Sequence, residues 1–358
     1  MNVVAATASY EAWLRTQLGT VLDDDLALKH RRMAADDFSF LRATYYLWLE
    51  RAERHLPDDL RRAPAVVAIG DLHIENFGCW RDRSGALAWG VNDFDELAPL
   101  PYTYDLVRLC ASAALAVREE RLPLHEHDVY DCVLDGYRTS LAAGGQPFVA
   151  DAGDGWLAAL VARDAVAAGS FWRRLDALPA APPGALPADG RALLTELAPL
   201  PGWQPVLHRR TAGLGSLGHL RIAAVGAADT EPAARELKEL CPPATVWLGG
   251  EAAAAGVTAG PSWQPDPLLL RRGRWQGRRL APDCVRLELT DYHRGAERRL
   301  LTAMGFETAN IHQRAEATAV AAVRTHVAHL TAADVRKAAE DLLDRVAADR
   351  HDWAQVTR

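Results

Sequence analysis

Apolar residues recur at i, i+3 and i+4 from Tyr10 to Leu18 and again from Phe38 to His55, with few glycines, a spacing that predicts helices. The period then shortens. Phe77, Cys79 and Trp80 form one short run and Ala86 to Val91 another, with Asp82 to Gly85 between them, which predicts two strands around a turn. Further on, Leu220 to Val225 reads as an apolar strand, and Leu268 to Arg272 and Trp275 to Leu280 read as two strands joined by a glycine-containing turn. The helical period returns over Ala296–Met304, Ala315–Leu330 and Ala332–Ala348, and helices near the two termini should pack together.

These patterns predict an α+β protein in five parts. A helical segment, 1–65, precedes a core, 66–177. A proline- and alanine-rich linker, 178–204, whose clearest stretch is Leu178 to Gly190, leads to a small antiparallel β unit, 205–289, and 290–358 forms C-terminal helices. The segment DTEPAARELKEL, Asp229 to Leu240, is the ambiguous one. Its acidic start, early proline and strong helix formers favour a short helix by propensity alone.

At 358 residues and 49% hydrophobic content the chain can bury a large core, and a net charge of −7 offers no broad basic face for nucleic acid. No signal-like segment or run of 18 apolar residues is present, so neither a membrane span nor export is expected and a cytoplasmic setting is. The five cysteines lack a C-x-x-C pair, which argues against a zinc ribbon or disulfide framework. His125 and His127 form an H-x-H without further ligands, and Trp247, Trp263 and Trp275, in the β unit, read as packing residues.

The candidate chemistry lies between Ala68 and Ser112. Asp71 and Asn76 stand in the pattern D-x-x-x-x-N, the spacing by which a kinase catalytic loop offers a carboxylate to a substrate hydroxyl and an amide oxygen to Mg²⁺. The hairpin between them and Asp93 should return Asp93 to the side of Asn76, bringing together oxygen ligands for a hard cation. Downstream, Gly213, Gly215, Ser216 and Gly218 form a glycine-rich turn whose backbone N–H groups can approach phosphates. Of Arg278 and Arg279, alternation lets only one face a cleft, where it can contact phosphate. Asp105 should cap or anchor the helix that follows it, with Arg108 as its partner.

GDLHIEN followed by NDFDE resembles the catalytic and metal-binding loops of the aminoglycoside-phosphotransferase branch of the protein-kinase-like superfamily. In fuller detail, RRMAADDFSFLRA, GDLHIENFG, NDFDE with YDLVRL, GLGSLG, LKEL and GRRLAP resemble the DUF2252 family of bacterial proteins. The resemblance implies a two-lobed kinase-like fold met in circularly permuted order, because the glycine-rich loop here follows the catalytic loop. It further implies Asp71 as catalytic base with His73 beside it, Asn76, Asp93 and Asp95 at the metal, and Lys238 as a phosphate-pairing lysine on a strand; its acidic partner is not readable, and Glu251, at the head of an alanine-rich helical run, is the candidate. ATP and Mg²⁺ are the implied cofactors, and an unidentified small molecule is the acceptor, with transfer of AMP instead of phosphate also open.

Two other readings stand beside this one. Asp71 and His73 make a D-x-H pair, which suits a metal-dependent phosphoesterase if more histidines join it. A nucleotide-binding regulator without turnover, pseudokinase-like, is the other, although such a protein has no chemical use for Asp71.

Overall fold

The computed structural model describes residues 1–149, 155, 158, 168–254, 256, 259–284 and 296–356. The fold is α+β, with a helical body, a small hairpin sheet and a separate five-stranded antiparallel sheet.

The helical body gathers both ends of the chain. Helices Val3–Gln17, Asp23–Ala35, Asp37–Ala43 and Tyr45–His55 pack with Tyr102–Arg118, Glu126–Ala143, Glu297–His312 and Ala332–Val356 around one apolar cluster. Asn2 starts the first helix by accepting from Ala5 N at 2.8 Å, the usual satisfaction of an orphan N–H. The stretch Phe38–His55 is two helices, not one. Thr44 leaves helical geometry (φ −125°, ψ 43°) and its hydroxyl donates to the Phe40 carbonyl, closing the first helix. The terminal helices do meet: Arg51 Nε lies 3.0 Å from Asp349 Oδ2, and the Trp353 indole donates to the His30 carbonyl at 3.2 Å.

Helix Tyr102–Arg118 is buried on every face from Tyr102 to Ala116, so it runs through the body as a core rod. Against its start lies a two-stranded pair, β1 (Ala65–Ala68) with β4 (Ala98–Pro101). Strands β2 (Phe77–Arg81) and β3 (Leu87–Val91) form the expected hairpin, in a register that sets Phe77 opposite Val91, and β5 (Phe148–Val149) adds a third strand.

The larger sheet runs in the order β6 (Val206–Arg209), β7 (Arg221–Ala228), β8 (Glu231–Glu239), β10 (Trp275–Leu280), β9 (Leu270–Arg272), all antiparallel. Segment Asp229–Leu240, helical by propensity, contributes β8. Pairing on both sides, with burial from Ala234 to Glu239, outweighs a local preference of only tenths of a kcal/mol per residue, on the order of 0.5. The two faces differ. Ile222, Leu237 and Trp275 pack on Leu193 of helix Ala188–Glu196 and on Leu197 just after it, within the proline-rich stretch. The opposite face carries Arg221, Glu236, Lys238, Gln276 and Arg278, as the registers Arg221↔Lys238 and Glu236↔Arg278 require.

Among the described residues no helix is long and apolar enough to cross a membrane. Trp247 packs edge-on to Tyr10 and Tyr46, Trp263 packs on Phe94, and Trp275 lies in the sheet core.

Candidate active site

The loop after β1 is fixed by backbone contacts before any functional side chain is considered. Gly70 has φ +92°, and a Cβ there would strike the Glu96 carbonyl, so only glycine fits. The Asp105 carboxylate accepts from Ile69 N at 2.7 Å and Gly70 N at 2.9 Å, and is held in turn by His312 Nε2 at 2.9 Å. Asp105 therefore anchors the Ile69–Gly70 loop and not the cap of its own helix, which begins at Tyr102. Arg108 corrects the sequence expectation as well. Its partner is Asp71, with Nε 2.9 Å from Oδ1 and Nη2 on the same oxygen.

The hairpin delivers Asp93 where expected. Asn92 N donates to the Asn76 carbonyl at 3.1 Å, and Asn76 Nδ2 donates to the carbonyls of Asp71 at 3.0 Å and Asp93 at 3.4 Å. Two carbonyl acceptors fix the amide orientation, and Asn76 Oδ1 is the atom left for the cleft. His73 caps the 3₁₀ turn Ile74–Asn76, its Nδ1 accepting from Glu75 N at 3.2 Å.

The sheet approaches this floor from the other side of a cleft with about 830 Å³ of non-protein space, part of it open to solvent. Asp71, His73, Asn76, Asp93, Asp95 and Glu96 line one side, and Gly213, Leu214, Gly215 and Ser216 the other. A Cβ on Gly215 would lie 3.4 Å from Asp71 Oδ2, so the glycine turn sits directly over the carboxylate. Gly218 anchors the turn: with φ +100° and Leu26 2.7 Å from any Cβ, it stands outside the cleft lining and accepts from Leu22 N at 2.9 Å.

Lys238 is buried on β8 and reaches across to the acidic floor, pairing with Asp95 and lying 3.7 Å from Asp93. Glu251, expected to orient it, is instead exposed in a non-helical segment. Arg278 does share the Lys238 face, yet its Nε is 2.9 Å from Glu236 Oε1 and it does not line the cleft. Arg221 Nη2 donates to Ser216 Oγ at 2.8 Å and Nη1 to Glu236 Oε1 at 2.8 Å, which ties the glycine turn to the charged sheet face.

Burial dominates the electrostatics. It raises the Asp71 pKa against the pull of Arg108, and raises Asp95 with help from Asp93. Burial also pushes Glu96 up to about 8 and lowers Lys238, while His219 falls to about 3. Among the described residues no group of three His, Cys, Asp or Glu is arranged to hold a metal ion, so a metal here would need the Asn76 amide oxygen and ligand oxygens beside at most two carboxylates.

Four features were not foreseen: Lys29, Arg42, Tyr45 and Tyr46, from the N-terminal helices, also line the cleft. Lys29 carries a readable signal, since it shares a buried stripe with Leu26 and Met33 at i, i+3 and i+7, where a lysine has no reason to be unless it serves a polar site.

Residues 22–154 match the sequence profile of DUF2252, described as an uncharacterized protein conserved in bacteria, which supports the family assignment. The matched stretch holds Lys29, Asp71, Asn76 and Asp93, while the glycine turn and Lys238 lie beyond it. No curated protein and no solved structure matches the chain.

Proposed function

We propose that this cleft transfers a phosphoryl group from ATP to the hydroxyl of a small molecule. One observation carries the reading: Asp71, Asn76 and Asp93, from one part of the chain, meet a glycine turn from another part in a single cleft, with Lys238 of β8 on Asp93 and Asp95. Phosphoryl transfer needs this combination of a positioned acceptor for a proton, oxygen ligands for a cation, and N–H groups and ammonium for phosphates.

The donor set fits a hard divalent cation. Asn76 lines the cleft with its amide nitrogen committed to two carbonyls, Asp95 Oδ1 is buried with no hydrogen-bond partner, and the Lys238 ammonium already places positive charge beside Asp93 and Asp95. Asn76, Asp93 and Asp95 would hold Mg²⁺, which when bound neutralises phosphate charge.

The chain's own groups account for the rest. Gly213–Ser216 would cover the phosphates, and Lys238, now paired with Asp95 and near Asp93, would supply an ammonium to them. Asp71 is held at Oδ1 by Arg108, so Oδ2 accepts the proton as the acceptor oxygen bonds to the γ-phosphorus and the β–γ P–O bond breaks, releasing ADP. A glycine turn between the first two strands of a sheet, followed by lysine on the third, supports a kinase-like small lobe, and its place after Asp71 in the chain supports a permuted order. The phosphoesterase reading is weaker, because His73 uses Nδ1 on its own turn and no multi-histidine group surrounds it among the described residues.

The test is ATP turnover by the purified chain with Mg²⁺ and a panel of small hydroxyl compounds, run beside phosphate release from a phosphate ester without nucleotide. ADP formation that requires Mg²⁺ and Asp71 supports the proposal. Ester hydrolysis with Mn²⁺ or Zn²⁺ and no use of ATP overturns it.

A further inference from the structure

The Asp71 end of the cleft holds more hydrogen-bond donors than its acceptors satisfy. Lys29 is 4% exposed, donates to the Gly215 carbonyl at 3.1 Å and lies 5.9 Å and 5.8 Å from the ring centres of Tyr10 and Tyr46. No carboxylate among the described residues comes within ion-pairing distance of it. Arg42 pairs through Nη1 with Glu75, but its Nε is buried without a partner. Tyr45 Oη is likewise buried without a partner. All three residues line the same cleft as Asp71.

Buried donors in this state are costly: an unsatisfied polar group forfeits its hydration, and a buried ammonium without an anion forfeits much more. Two unpartnered donors and an ammonium without an anion, lining the cleft that holds Asp71 with its Oδ1 already engaged by Arg108, mark a place where negative charge belongs. Lys238 and Arg221 lie outside the cleft lining, engaged with Asp93, Asp95 and Ser216, so the charge they carry is separate from that beside Asp71.

We infer that Lys29, Arg42 and Tyr45 form a receptor for an oxyanion carried by the acceptor, so that the acceptor is an anionic alcohol, either a hydroxy acid or a phosphate monoester bearing a free hydroxyl. The acceptor role rests on the phosphotransferase reading; the anion site itself does not. Lys29 exchanges the Gly215 carbonyl for the anion, which couples acceptor binding to the position of the glycine turn over Asp71.

The experiment is calorimetric titration of inorganic phosphate, and separately of L-malate, into the full chain saturated with Mg²⁺ and a non-hydrolysable ATP analogue. At least one probe should bind, and whichever binds tells phosphate from carboxylate recognition. Lys29→Met should weaken that binding at least tenfold. Tyr45→Phe, which removes only a hydroxyl and preserves shape, should weaken it several-fold, and melting curves of both variants establish that they fold. Neither probe binding the wild type, or equal binding by the folded variants, overturns the inference. Competition between the probe and the ATP analogue also overturns it, because the site would then hold the donor's terminal phosphate. If the analogue itself fails to bind while phosphate or malate binds in a Lys29-dependent manner, the anion site stands and the phosphotransferase reading falls.

Discussion

Arg108 holds Asp71 by one carboxylate oxygen only: Nε lies 2.9 Å from Oδ1 and Nη2 donates to the same atom, while Oδ2 faces Gly215 across the cleft. The arginine is fully buried on the core helix and stacks on Tyr45 and Trp48, with ring centres 4.9 Å and 5.0 Å away. A carboxylate gripped this way keeps one oxygen in a fixed direction, which is what a proton acceptor in a transition state requires.

Arg108→Gln should therefore lower turnover by roughly 10²-fold through misplacement of Asp71, and destabilise the fold by about 3–5 kcal/mol because a buried pair is broken. The pH–rate profile separates the two effects. Arg108 pulls the Asp71 pKa down against burial, so its loss should move the acid limb of the profile to higher pH. An acid limb that stays in place would show that Asp71 is not the titrating base.

On the proposed reading, Lys238 should connect stability to metal. It is buried between Asp93 and Asp95, so Lys238→Met strands two neighbouring carboxylates and should cost on the order of 3 kcal/mol in the absence of ligand. Millimolar Mg²⁺ should restore part of the melting temperature in the variant, since a divalent cation replaces the ammonium, while affinity for ATP falls. A variant that melts like the wild type, with or without Mg²⁺, would remove the lysine from the acidic floor.

Glu307 gives a pH test away from the cleft. Burial pushes its pKa from 4.5 up to about 8, so between those values the folded chain holds a proton that the unfolded chain has released. Its stabilisation is fully present below the unfolded pKa and is lost as pH rises towards the folded one, at about 1.4 kcal/mol per pH unit. Glu307→Gln removes this slope. The variant should gain on the wild type in denaturant melts from about pH 5 to 8 and gain no more above that; a constant difference across the range would mean that Glu307 ionises normally.

The hairpin that carries Asp93 back to Asn76 was readable from two short apolar runs and one turn, because its geometry depends on adjacent residues. The same holds for the terminal helices and for β7, β9 and β10. Propensity misread β8, where two neighbouring strands decide the backbone. The roles of Asp105 and Arg108 were not readable, since each acts on a loop more than thirty positions earlier in the chain. Lys29 is the instructive miss: its place in a buried stripe was visible, but its meaning needed the glycine turn that folds against it.

The central claim is that Asp93 binds metal against nucleotide phosphates while Asp71 handles a proton. Calorimetric titration of a Mg²⁺-loaded, non-hydrolysable ATP analogue into the wild type, Asp71→Asn and Asp93→Asn tests it most directly. The account predicts binding to the wild type, nearly equal affinity for Asp71→Asn, and affinity reduced by roughly tenfold or more for Asp93→Asn, with a higher Mg²⁺ requirement. Absence of binding to the wild type, or equal affinity in Asp93→Asn, would contradict it.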